Sequence, residues 1–275
     1  MRLLQLALMD EPGVAPGVAI DAAALEMAAI EQPGLDAAPS LAELDRIASE
    51  VATRLGANAD GPKFVRTANQ YLFEELGFRG NDSDYYDPRN SCLNEVLDRR
   101  TGIPISLSVV YIEVARRLRR PVFGIGLPGH FVVQYDDDEY STFIDPFHGG
   151  KLLTRADCRA LAREITGTDI DAEPGTLAPV STRYILVRML NNLRSAYFRA
   201  KNYAKAATVM DLLVEAFPEN ADYFKARGVA RLHLREFSGA KRDLENYLRY
   251  SPEAEDRAQV TKQLEAIHRW LGRLN

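Results

Sequence analysis

The sequence predicts an α+β domain, with helices leading into a small antiparallel sheet, followed by an all-α tail of helical hairpins. Three observations carry this expectation. Apolar residues recur at helical spacing up to about residue 119, and the pattern then shortens to short β-branched and aromatic runs over residues 121–144. Helical spacing returns after residue 182, with Pro218 and Pro252, and likewise Ala206 and Ala240, 34 residues apart. The composition is that of an ordinary globular chain: 46% apolar, 27% charged and a net charge of -5, which gives no support for nucleic-acid or anionic-membrane binding. No run approaches the roughly 20 apolar residues of a membrane span. The start, MRLLQLALMDEPG, is too short and too acidic at its end for a secretory signal, so a cytoplasmic protein is expected. With 2 cysteines, Cys92 and Cys158, no disulfide scaffold is expected.

Residues 18–31 and 40–55 have amphipathic helical spacing, and Ser40 followed by Glu43 reads as a capping box. Residues 62–77 form a third such helix, stopped by Gly77, and residues 79–89 are a polar turn segment. Ser91 is the expected N-cap of a helix over 92–100 that Thr101, Gly102 and Pro104 end. The next helix, 106–119, is apolar on most sides, as a buried helix would be. Arg116, Arg117, Arg119 and Arg120 sit at its C-terminal end, where cations complement the dipole. Strands follow at 121–126, 130–135 and 140–144, with the acidic run 136–139 as a solvated hairpin loop.

The organisation expected is a domain over 1–170 with a helical lead-in, a Pro/Gly linker over 171–181 and a repeat array over 182–275. The 34-residue period is that of tetratricopeptide (TPR) repeats. It places Leu190, Leu193, Tyr197, Ala206 and Pro218 on signature positions of one repeat, and Phe224, Gly228, Ala240 and Pro252 on those of a second, with Arg231 where an aromatic is usual. Residues 255–272 would cap the exposed apolar end. Arg188, Asn191 and Lys225 fall on the inward face of the first helices, where cationic and amide groups suit a peptide or its carboxylate.

Gly124, Gly126 and Gly129 match the dinucleotide pattern G-x-G-x-x-G. Here the run leads into a strand rather than opening a helix, so no phosphate site is expected. His130 begins one predicted strand and Asp145 ends the next, so the carboxylate could hold the imidazole by one nitrogen. Two nucleophiles suit such a pair: Cys92, just after a probable helix cap, and Ser106, at the front of the apolar helix. His148, His233 and His268, with the two cysteines, show no metal-ligand spacing, so neither metal nor organic cofactor is expected.

The stretch LFEELGFRGNDSDYYDPRNSCLNEVLDRRTGIPISLSVVYIEVARRL, then GLPGHFVV and FIDPFHGGKLL, resembles the bacterial SirB-type transglutaminase-like proteins with C-terminal TPR repeats. The resemblance implies a papain-like, transglutaminase-like core in which a helix N-terminus faces a small antiparallel sheet. In active members of that superfamily Cys, His and Asp attack amides. His130 and Asp145 match the His and Asp. Counting back from Pro121 places the expected Cys near the start of helix 106–119, where this chain has Ser106 and Ser108. Two functions follow as expectations: a regulatory module that binds a protein or peptide without turnover, or a cysteine amide hydrolase or acyltransferase using Cys92, His130 and Asp145.

Overall fold

Among the described residues of the first hundred, helices start and stop at particular side chains and turns. The computed structural model describes residues 2–9, 19–167 and 177–272, and the chain divides into two units, residues 1–189 and 190–275. Most of the linker expected at 171–181 lies outside the described residues.

The first unit opens with α1 (Arg2–Met9), α2 (Ile20–Ala28), α3 (Ala38–Leu55) and α4 (Gly61–Asn69). α1 has no counterpart in the sequence reading, yet its Leu4, Ala7 and Leu8 are buried. α3 starts before the expected cap: Pro39 occupies its first turn, where a missing N–H costs nothing, and Ser40 is buried inside the helix. Glu43 pairs with Arg46 and Arg100 rather than closing a capping box. α4 is capped by Asp60, which accepts from the Lys63 amide at 2.8 Å. It runs on as a π-helical turn over Gln70–Glu75, and Gly77, at φ 73°, ends it as the sequence indicates.

A two-residue parallel pairing of β1 (Arg79–Gly80) with β2 (Thr101–Gly102) brackets α5 (Leu93–Arg99). The buried helix is α6 (Pro104–Arg117), apolar almost throughout and packed against α3 and the sheet. Its arginines do more than solvate a helix end. Arg117 reaches Asp21 at 2.7 Å and Glu113 at 2.8 Å, and Arg116 reaches Glu113 at 2.7 Å, so two buried carboxylates are answered by guanidiniums. Arg120 donates to the Ala59 carbonyl.

The sheet is an antiparallel meander in chain order: β3 (Val122–Leu127), β4 (His130–Asp136), β5 (Ser141–Asp145) and β6 (Lys151–Leu153). The acidic loop between β4 and β5 is organised by Asp137, which accepts from the amides of Glu139 and Tyr140 and from the Tyr135 hydroxyl. α7 (Arg155–Thr166) follows, opened by a reciprocal cap between Thr154 and Asp157. Cys158 and Ala162 of α7 join Ile125, Leu127, Val132, Phe143 and Leu153 in one apolar cluster. β6 and α7 were not expected from the sequence, although the Thr154-x-x-Asp157 signal is there to read.

The boundary between the units falls inside α8 (Thr182–Arg199). The second unit continues with α9 (Tyr203–Ala216), α10 (Ala221–His233), α11 (Phe237–Tyr250) and α12 (Arg257–Leu271). The expected repeat positions are core: Leu190, Leu193, Tyr197, Ala206, Phe224 and Ala240 are all buried. A Cβ on Gly228 would meet the Leu244 side chain at 3.1 Å, which is why a glycine serves where α10 crosses α11. Where an aromatic is usual, Arg231 and its neighbour Arg227 bind the buried Asp243 at 2.8 and 2.7 Å, and both also reach Asp211 at 3.0 Å. An ion-pair cluster across α9, α10 and α11 thus stands in place of the expected ring.

Candidate functional site

The pairing of Val133 with Ile144 fixes the register of β4 on β5, so Asp145 lies opposite Val132, one pleat along from His130 and on the same face. The two residues therefore meet diagonally rather than as a directly opposed pair. His130 Nε2 stands 3.0 Å from Asp145 Oδ2, and both side chains are buried. The chain then turns sharply over Pro146–His148, and the amides of Phe147 and His148 donate to Asp145 Oδ1 at 3.0 and 3.3 Å. That turn carries a residue the sequence reading set aside: His148 Nδ1 approaches the same Asp145 Oδ2 at 2.7 Å. Burial opposes ionisation of Asp145, but the bonds from His130 and His148 outweigh it and hold the carboxyl below the usual carboxylate range. The signal that could have found His148 is the three-residue step from Asp145 through Pro146 in a tight turn after a strand.

A cavity of about 860 Å³ opens on this cluster. His130, Asp145, Phe147 and His148 line it together with Tyr85, Tyr86 and Asp82 from the loop before α5, and Asp157, Leu161, Glu164 and Ile165 from α7. The front of α6 is present too, through Pro104. The Phe147 ring stands edge-on to His130 at 5.9 Å between centroids.

Neither candidate nucleophile lines that cavity. Ser106 sits in the first turn of α6 with its hydroxyl buried; it donates to the Asn90 carbonyl at 2.6 Å and accepts from the Ile103 amide at 3.1 Å. Cys92, not Ser91, is the N-cap residue of α5, because a 3-10 turn over Pro88–Ser91 takes up the preceding residues. Its sulfur is buried and donates to the Pro88 carbonyl at 3.4 Å. Cys158 is buried under α7, and burial pushes its thiol up to about 12.

The glycine-rich run is a packing device. Gly124 and Gly126 lie under the rings of Phe131 and Tyr184, where a Cβ would come within 3 Å of ring atoms, and Gly129 takes φ 70° in the β3–β4 turn. Arg188, expected on a peptide-binding face, is engaged here: its guanidinium donates to the carbonyls of Leu127 and His130 at 3.0 Å each and lies 5.4 Å from the Phe131 ring. Asn191 donates to the Tyr223 hydroxyl at 3.2 Å, and Lys225 pairs with Asp256 at 2.8 Å over the Tyr247 ring.

The transglutaminase-like superfamily model matches residues 38–191, from α3 into α8, and thus takes in the whole His130–Asp145 meander. The chain belongs to the transglutaminase-like superfamily. A tetratricopeptide repeat model matches residues 193–265. Among similar proteins, a UPF0162 protein of Xylella fastidiosa is 41% identical over 194 residues, 70% of this chain and 69% of that one. A UPF0162 protein of Pseudomonas aeruginosa is 29% identical over 242 residues, 88% of each. A solved structure, the first TPR of Spaghetti bound to an HSP90 peptide, has a TM-score of 0.28 at 24% identity, over 42% of this chain and 76% of that one. Among the described residues no helix is long and apolar enough to cross a membrane.

Proposed function

We propose that this transglutaminase-like chain is a cytoplasmic, regulatory protein-binding module of the SirB type, holding a protein or peptide partner in its papain-like cleft and on its TPR surface without turning it over. One observation carries the reading. The cleft holds an imidazole–carboxylate pair, but at the front of α6 it offers the ring of Pro104, while the Ser106 hydroxyl and the Cys92 sulfur are buried and hydrogen-bonded elsewhere. A nucleophile must reach both the base and the substrate carbonyl. The TPR match supports the binding half, since such repeats present extended surfaces for peptides.

The second reading, a cysteine amide hydrolase or acyltransferase, draws on Cys92 standing at the front of α5 and on the preformed His130–Asp145 pair. Iodoacetamide labelling of the native chain near neutral pH separates the two. Binding without turnover predicts that Cys92 reacts no faster than Cys158. Rapid labelling of Cys92 that is lost in His130→Ala would overturn it in favour of the hydrolase.

A further inference from the structure

Among the described residues, His130, Asp145 and His148 each place one ligand atom within 4.8 Å of the others beside a cavity, with His130 Nε2 and His148 Nδ1 both against Asp145 Oδ2. We propose that these three atoms form a binding site for a divalent transition-metal ion of the zinc, cobalt or nickel class. The proposal stands independently of whether the cleft turns a substrate over. Two imidazoles and one carboxylate suit that class, whereas calcium and magnesium prefer all-oxygen sets.

The geometry is close to what such an ion needs. Donors about 2.0–2.2 Å from one ion stand roughly 2.8–3.6 Å apart between octahedral and tetrahedral angles. The two nitrogen-to-oxygen separations here are 3.0 and 2.7 Å and the ligand atoms all lie within 4.8 Å, so small shifts suffice, with the shorter His148 contact opening slightly. His148 is the donor able to move: its side chain is 50% exposed on a three-residue turn, whereas His130 and Asp145 are anchored in adjacent strands. Asp145 is also oriented from behind, its second oxygen held by two backbone amides, as the outer contacts of a metal ligand commonly are.

Each imidazole now faces the carboxylate oxygen through the nitrogen that would take the ion. With the ion bound, each ring must therefore offer that nitrogen unprotonated and carry its proton on the other one. Three protein donors leave further coordination positions for water or for a group in the cavity.

The test uses the full chain, stripped with a chelator and titrated with Zn²⁺ by calorimetry and with Co²⁺ by visible absorption. One ion per chain is expected, with a Kd of about 10 μM or tighter, together with ligand-field bands from Co²⁺. His148→Ala is expected to weaken binding at least about tenfold, and the double variant His233→Ala/His268→Ala to leave it unchanged. Asp145 is buried and also holds two backbone amides, so the half-exposed His148→Ala variant, matched to wild type by circular dichroism, carries the decision. Absence of stoichiometric binding, or binding that His148→Ala does not weaken, overturns the site.

Discussion

In the first unit, hydrogen bonds at buried or half-buried polar groups join residues far apart in sequence: Asn94 to Gln32, 62 residues apart, Asn69 to Gly150, 81 apart, and Arg117 to Asp21, 96 apart. In the second, the cluster around Asp243 and Asp211 joins residues 12 to 20 apart on successive helices. The sheet unit must close long loops before its polar groups find partners, whereas the repeat unit satisfies its charges between neighbouring hairpins. The contrast explains why the repeats could be read from a period, while the cleft needed coordinates.

Removing a buried carboxylate from each unit tests that contrast most strongly. Asp145→Ala leaves a buried imidazole and two backbone amides without their acceptor, so a loss of about 3–5 kcal/mol is expected in urea unfolding followed by circular dichroism. A loss below about 1 kcal/mol would mean that the His130–Asp145 pair does not organise the sheet. Asp243→Ala should cost less, about 1–3 kcal/mol, because Arg227 and Arg231 keep some exposure and Asp211 remains as a partner. The sole tryptophan, Trp270 of α12, reports on the second unit, with its ring 4.1 Å from Phe237. Fluorescence should therefore register Asp243→Ala and miss Asp145→Ala.

A smaller effect is expected from Gly150→Ala. Its φ of 76° disfavours a side chain, and a Cβ there would come within 2.5 Å of the Phe73 ring, so about 1–3 kcal/mol should be lost from the first unit. Acid should act more gradually and on the same unit. Arg46 and Arg100 hold Glu43 down to about 2, and both Asp21 and Asp145 are held below their ordinary 3.8 despite burial. Groups with depressed folded pKa values contribute their stability above the unfolded value and lose it as pH falls through the folded one. Glu113 has the opposite sign: burial raises its pKa, so its ionisation costs stability as pH rises. In the second unit the depressed Asp256 is almost at the surface and worth little. Between pH about 4.5 and 2, circular dichroism should therefore change before Trp270 fluorescence does; simultaneous loss would remove the contrast.

The His130 and Asp145 pair was legible because strand alternation and a short hairpin place two residues on one face whatever surrounds them. The starts of α3 and α5 were misplaced, since Ser40 and Ser91 look like caps, while Pro39 and the Pro88–Ser91 turn took those roles. Arg188 was read from repeat periodicity as a surface group, and the β3–β4 turn claimed it instead.

From sequence alone came the helix-to-strand change near residue 121, the buried character of α6, the 34-residue repeat and the strand positions of His130 and Asp145. These depend on spacing along the chain, which backbone geometry converts directly into faces and periods. Tertiary structure alone decided that Cys92 and Ser106 bond to nearby carbonyls away from the cavity, and that His148 turns back onto Asp145. A polar side chain takes whichever partner packing brings within about 3 Å, and that choice is made between segments rather than within them.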